Sequence, residues 1–191
     1  NGSLKFRELL LADDWDGIAE LAKEQAAEGA HVLDVCVAYV GRDEVRDMTE
    51  ALKKIVPAVP IPIMIDTTQI DVLEAALKLI GGRPIINSIN LEDGEDKFDK
   101  VATLAREYGA ALVALTIDEV GMAKDAATKL AVARRMRDLA VERHGLLEAD
   151  LVFDPLTFTI AQGEEDSRKL GLETLEGIRL IDTEIPAART I

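Results

Sequence analysis

Five short apolar runs recur along the chain, HVLDVCV (31–37), PIMID (62–66), PIINSIN (84–90), ALVALTID (111–118) and DLVFDPL (150–156), and a helical pattern separates each from the next. Strict alternation of this kind constrains the fold more than any other feature. Successive strands joined through a helix lie parallel with right-handed crossovers, so the chain must form a barrel or a doubly wound sheet. The runs are rich in β-branched residues and apolar at nearly every position, which predicts strands covered on both faces.

The helical stretches repeat apolar residues every three or four positions. The first carries Trp15, Ile18, Leu21 and Ala22 before Gly29, and the second Val45, Met48, Leu52 and Ile55 before Pro57. The third carries Ile70, Leu73, Leu77 and Ile80, with Thr68 and Asp71 in capping-box spacing ahead of it. Phe98, Val101, Leu104 and Ala105 mark a fourth helix, Leu130, Ala133, Met136 and Ala140 a fifth that ends near His144, and Leu172, Leu175, Ile178 and Ile181 a sixth.

No G-x-G-x-x-G follows any strand, which removes support for a dinucleotide-binding sheet. The expected class is therefore α/β, a TIM (β/α)8-type barrel with five parallel strands and six helices present. A full barrel takes about 250 residues, so this one is expected to be incomplete. Residues 1–191 read as a single domain truncated at both ends, with at least one strand missing before NGS and two after EIPAARTI.

Composition narrows the partners. Acids outnumber bases 36 to 22, for a net charge of -14, which opposes binding to nucleic acid and offers no polybasic segment to a lipid surface. The most apolar runs are about half a membrane span, so the expected location is the cytoplasm. The single cysteine, Cys36, excludes an intrachain disulfide and a multi-cysteine metal site.

Polar residues stand at or near the C-terminal end of each strand: Asp34, Asp66, Asn87 with Asn90, Asp118 and Asp154. In parallel α/β proteins that end is where loops gather around ligands. Any one of these residues can instead cap a turn or the next helix. Five in succession argue for a shared mouth, because neighbouring buried carboxylates need a ligand or cation to offset them. A Mg2+ site would use such carboxylates, but enolate chemistry also needs a Lys or His base. No strand holds a lysine; His31 stands at the wrong end of its strand and His144 at a helix end, where both read as surface or packing residues. A donor-rich heterocycle also fits, since carboxylates accept paired N–H groups and an asparagine both donates and accepts.

IDTT (65–68), INSIN (86–90), IDEVGMA (117–123) and FDPL (153–156), with NGS (1–3) ahead of the first helix, resemble the pterin-binding methyltransferase barrel family. That family includes the folate domain of cobalamin-dependent methionine synthase and the methyltetrahydrofolate:corrinoid methyltransferase, and it is similar in fold to dihydropteroate synthase. The resemblance covers essentially the whole chain. It implies that Asp66 and Asn87 bind the pterin edge, that Asp154 is a third pterin contact, and that Gly2 and Ser3 belong to a loop touching the folate. Asp34 matches an acid in the family's second strand, while Cys36 replaces a frequent Asn and reads as a packing thiol.

What the resemblance implies for activity is transfer of the N5 methyl group of methyltetrahydrofolate to cob(I)alamin, a corrinoid held by a partner domain or protein. No metal is expected in the barrel, and no residue is assigned as proton donor to N5. The family's Asn beside N5 lies on a seventh strand beyond this stretch, so activity of this stretch alone is left open. TFTIAQGEEDSRKLG (157–171) reads as a mouth loop facing the corrinoid partner or as a solvated surface loop. Three alternatives stand beside the methyltransferase: a dihydropteroate synthase-like pterin enzyme, a Mg2+-dependent lyase, and a non-catalytic fragment that pairs its open edges with another copy, as a homodimer, or with another chain.

Overall fold

A computed structural model describes residues 3–157 and 165–191. The chain divides into two compact units, one of Asn1–Asn87 with Tyr108–Ala110 and one of Ser88–Glu107 with Ala111–Ile191.

The first unit holds α1 (Leu4–Leu11), α2 (Trp15–Ala27), β1 (Leu33–Val35), α3 (Glu44–Ile55), β2 (Ile63–Asp66) and α4 (Ile70–Leu77), and β3 (Ile85–Ile89) begins in it. β1 and β2 run parallel with Asp34 beside Met64, and β2 and β3 run parallel with Asp66 beside Asn87. Helix α3 shows why these segments fold as they do. Asp43 caps it by accepting from the Arg46 N–H at 3.0 Å, acids occupy its first turn, and Lys53 and Lys54 occupy its last, matching the helix dipole at both ends. Its Met48, Ala51, Leu52 and Ile55 are buried, the stripe expected from spacing.

Helix α1 extends the expected set, since the sequence pattern begins only at Trp15. Ser3 caps it, and a break follows at Asp13, whose φ is +52°, before Asp14 caps α2. The capping box expected from Thr68 and Asp71 does not form. The α4 N-cap is Gln69, with no side-chain cap, and the neighbouring Thr67 hydroxyl accepts the Gln69 N–H at 3.2 Å instead.

The second unit holds α5 (Glu95–Tyr108), β4 (Ala111–Leu115), β5 (Ile117–Asp118), β6 (Gly121–Met122), α6 (Ala126–Asp138), β7 (Leu151–Asp154), α7 (Glu165–Glu184) and β8 (Arg189–Thr190). β4, β7 and β8 are neighbours and parallel, while β5 and β6 form a separate antiparallel hairpin. Helix α6 passes into a π-helical turn, Leu139–Arg143, that ends at His144. His144 has a packing role: Nε2 lies 2.7 Å from Asp99 Oδ1 and the ring stands against Phe98.

The strands are less enclosed than their composition predicts. In β1, β2 and β7 alternate residues are buried, and the intervening ones, among them Asp34, Met64, Asp66 and Asp154, are half-buried or exposed. α7 departs further from expectation. Ile181 of the expected stripe is buried, but Leu172 and Leu175 are 68% and 65% exposed, and Gly177 is buried outside that stripe. Residues 165–171 of the expected mouth loop belong to α7, and 158–164 lie outside the described residues. No helix among the described residues is long and apolar enough to cross a membrane.

Candidate functional site

In the first unit, parallel pairing places the less buried residues of three strands on one face. Asp34 is level with Met64, and Asp66 with Asn87, at the C-terminal ends of their strands. Paired residues on adjacent parallel strands point to the same side, about 4.8 Å apart across the ladder, so Asp66 and Asn87 form a side-by-side acid and amide. Asn87 Nδ2 donates to Asp34 Oδ1 at 3.4 Å. With its NH2 turned to Asp34, Asn87 offers its carbonyl oxygen as an acceptor.

The electrostatics of this face are those of crowded acids. Asp34 is exposed at its surface, but partial desolvation among its neighbours still pushes its carboxyl above the usual carboxylate range; the Asn87 hydrogen bond opposes that shift and the nearby Asp66 charge adds to it. Burial also raises the Cys36 thiol, and Asp66, which interacts with it, raises it further. A cationic or N–H-donating partner would favour the charged form of the Asp34 carboxyl and offset its shift. Ser3, Asp34 and Cys36 also line one cleft, together with Phe6 and apolar residues of α2. Ser3 Oγ caps α1 by accepting from the Phe6 N–H at 3.3 Å. Gly2 lies outside the described residues.

In the second unit, Asn90, Asp118 and Asp154 each use one side-chain oxygen locally. Asn90 accepts from the Glu92 N–H at 3.0 Å, Asp118 from the Val120 N–H at 2.9 Å and Asp154 from the Leu156 N–H at 2.8 Å. For these three residues turn formation is part of the reason for an acid or amide at the strand end. Asp118 also sits in the β5–β6 hairpin rather than at the end of β4. That hairpin is anchored by Arg135 of α6, whose guanidinium grips both Glu119 carboxylate oxygens at 2.8 and 2.9 Å.

Asp154 is the most firmly placed of the three. Its carbonyl accepts from the N–H of fully buried Thr116 at 3.1 Å while its carboxylate holds the following turn. Beside it stands a residue that strand-end reading missed. Lys129 of α6 is fully buried, and its ammonium bonds to the carbonyl oxygens of Ala123, Pro155 and Leu156. The signal was present in the spacing: Lys129 follows Ala126 by three and precedes Ala133 by four, on the buried stripe of its helix. Among the described residues no group of three or more His, Cys, Asp or Glu is arranged to hold a metal ion.

The sequence matches the pterin binding enzyme family over residues 1–188. Methionine synthase of Mycobacterium tuberculosis (strain ATCC 25618 / H37Rv) is 45% identical over 193 residues, covering 100% of this chain and 16% of that protein. Methionine synthase of Mycobacterium leprae (strain TN) shows the same identity and coverage. The chain thus spans 16% of the length of these curated relatives. Among solved structures, dihydropteroate synthase from Stenotrophomonas maltophilia, with imidazole bound in its active site, matches with a TM-score of 0.61 at 18% identity. The match covers 91% of this chain and 64% of that one, and it establishes the fold as α/β of the TIM-barrel type.

Proposed function

The chain belongs to the pterin binding enzyme family, and from that membership we propose that it binds methyltetrahydrofolate and releases its N5 methyl group to a corrinoid on a partner domain or protein. The observation that carries this reading is the register of β2 on β3, which sets the Asp66 carboxylate beside the Asn87 amide. A reduced pterin presents an amidine-like N–H edge next to a ring carbonyl, and an acceptor-only acid beside an amide suits that edge. Asp34, tied to Asn87, adds a second acceptor to the same face. Similarity to methionine synthase across the whole chain supports the methyl-transfer part of the reading.

When bound by the partner, the corrinoid supplies the nucleophile that accepts the methyl group. Cleavage of the N5–CH3 bond leaves its electron pair on N5, which must then be stabilised by a proton or strong hydrogen bond. The role proposed for Asp66 and Asn87 is to hold the ring in a fixed orientation and to tune charge developing on it. Ser3 is proposed as a further contact to the substrate on this face; Asp154, considered within the second unit by itself, is proposed as a pterin contact on the ground of the family resemblance. Asn90 and Asp118 are proposed as supports of the loops in which they cap turns.

Calorimetric titration of the protein with methyltetrahydrofolate, with and without EDTA, tests the reading. Saturable binding that EDTA leaves unchanged supports it. Absence of binding overturns it, and binding that EDTA abolishes replaces it with a metal-dependent site.

A further inference from the structure

The buried lysine of α6 bears on Asp154. The Lys129 ammonium donates to Ala123 O at 2.7 Å, to Leu156 O at 3.0 Å and to Pro155 O. An ammonium carries three N–H donors, and here three carbonyl oxygens receive them. Two of those carbonyls belong to the residues directly after Asp154. Leu156 has a φ of +55°, a left-handed conformation that a leucine keeps only where its surroundings fix it. Thr174 Oγ1 of α7 lies 3.1 Å from the same Leu156 oxygen and 3.0 Å from Leu170 O, its single proton shared between the two carbonyls. The N–H of Leu156 is bonded to Asp154 Oδ1. The ammonium thus grips the carbonyl side of a turn whose N–H side is gripped by the carboxylate.

The surroundings are arranged for this cation. Asp125, Asp154 and Glu173 act on its charge, opposing the cost of burial. Room for its stem comes from Gly177 of α7, where a Cβ would stand 2.8 Å from Lys129 Cδ. An apolar side chain would fill the same space without the desolvation that an ammonium incurs, so packing alone does not account for the residue.

We propose that Lys129 is a positioning residue: it fixes the Pro155–Leu156 turn and thereby sets the direction in which the Asp154 carboxylate faces its ligand. This rests on the reading of Asp154 as a substrate contact. Lys129→Met, Asp154→Asn and the double variant are to be compared with wild type for the methyltetrahydrofolate Kd, for hydrogen exchange of the Leu156 amide, and for thermal stability. Lys129→Met is expected to raise Kd about tenfold, the scale of one lost polar contact, and to strip protection from the Leu156 amide. Added to Asp154→Asn, it should cause no further loss of affinity. Lys129→Gln, which keeps two N–H donors, should recover part of both readouts, and it decides the question if Lys129→Met does not fold.

An affinity loss that adds in full to that of Asp154→Asn overturns the proposal, as does a lowered melting temperature with Kd unchanged while Asp154→Asn raises it. If Asp154→Asn leaves Kd unchanged, the assignment of Asp154 as a contact fails instead. The ligand-facing part of the proposal falls with it, and Leu156 exchange then tests the turn alone, lost protection in the Lys129 variants upholding the fixing of the turn and intact protection overturning it.

Discussion

Asn87 turns its amide Nδ2 towards Asp34 Oδ1, 3.4 Å away, so the acid of β1 is partly engaged by the amide of β3 before any ligand arrives. The bond is long, and partial desolvation still holds the Asp34 carboxyl above its ordinary value of 3.8. A carboxyl raised in this way binds a proton more tightly in the folded state than in the unfolded chain. Its favourable contribution is therefore full below 3.8 and is lost as pH rises through the folded value. Asp34→Asn removes that dependence. The variant should melt higher than wild type at neutral pH, and the gap should close as the pH is lowered past the Asp34 titration. Melting curves of both proteins across that range check the sign.

Substitutions at Asp66 and Asn87 should affect binding rather than stability. Asp66→Asn replaces an acceptor with a group that also donates, and Asn87→Ala removes the amide altogether. Each should weaken methyltetrahydrofolate binding by about 1–3 kcal/mol, roughly 5- to 150-fold in Kd, while leaving the melting temperature close to wild type. Calorimetric titration of the two variants beside wild type measures it, and unchanged affinity in both would remove this face from the site.

Cys36 reports on Asp66 without any ligand. Burial, together with the neighbouring acid, keeps the thiol above its ordinary range, which lowers the thiolate fraction at neutral pH. Iodoacetamide should therefore modify Cys36 more slowly than it modifies a small-molecule thiol, and Asp66→Asn should speed the reaction. Alkylation rates followed by intact mass at two pH values test both statements. An Asp66→Asn rate equal to wild type would show that the acid does not govern the thiol.

Much of this face was legible in the sequence because it depends on local order, the polar residues standing at the ends of successive strands. Ile65 and Ile86 are buried, the residues after them in their strands are not, and the register makes Asp66 and Asn87 neighbours. What stayed hidden depends on contacts between elements distant in sequence. Ile117–Asp118 reads as a continuation of β4, but it turns away to pair with Gly121–Met122, where Asp118 caps Val120. On α7 the apolar periodicity pointed to a buried face through Leu172, Leu175 and Ile181; Ile181 is buried, but Leu172 and Leu175 are exposed, and the Lys129 stem packs against Gly177 instead. A lysine on an apolar stripe is read as an exception until its three carbonyl partners are known, and two of those are 26 and 27 residues away.

A second buried charge makes a direct stability prediction. Asp47 of α3 is fully buried, with Oδ1 2.9 Å from a terminal Arg42 nitrogen and Oδ2 bonded to Arg42 Nε. Arg42 also reaches Asp13. Arg42→Ala strands the Asp47 carboxylate, with Arg46 3.8 Å away as its remaining ion pair. Breaking one side of a buried pair costs about 3–5 kcal/mol. Arg46→Ala, which removes a half-exposed partner of Asp13, should cost under about 1 kcal/mol. Urea denaturation of the two variants should separate them clearly, and equal midpoints would show that Arg42 does not carry the network.

Gly177 should behave against the usual rule for its position. Within a helix, glycine to alanine stabilises by about 0.5–1 kcal/mol through the backbone alone. Here the added methyl would meet Lys129 Cδ at 2.8 Å and Cβ at 3.4 Å. The stem is hemmed in, because its ammonium is committed to three carbonyls and cannot swing aside without releasing them. Overpacking of about 1–3 kcal/mol should therefore exceed the helix gain, so Gly177→Ala lowers the melting temperature. The strain belongs to the lysine stem rather than to the backbone, since Gly177 lies inside regular α7 and no positive φ is recorded for it. Shortening that stem should relieve it: in a Lys129→Ala background, Gly177→Ala should turn neutral or stabilising. A double-mutant cycle by thermal denaturation measures the coupling, and an equal penalty in both backgrounds would place the cost of Gly177→Ala elsewhere.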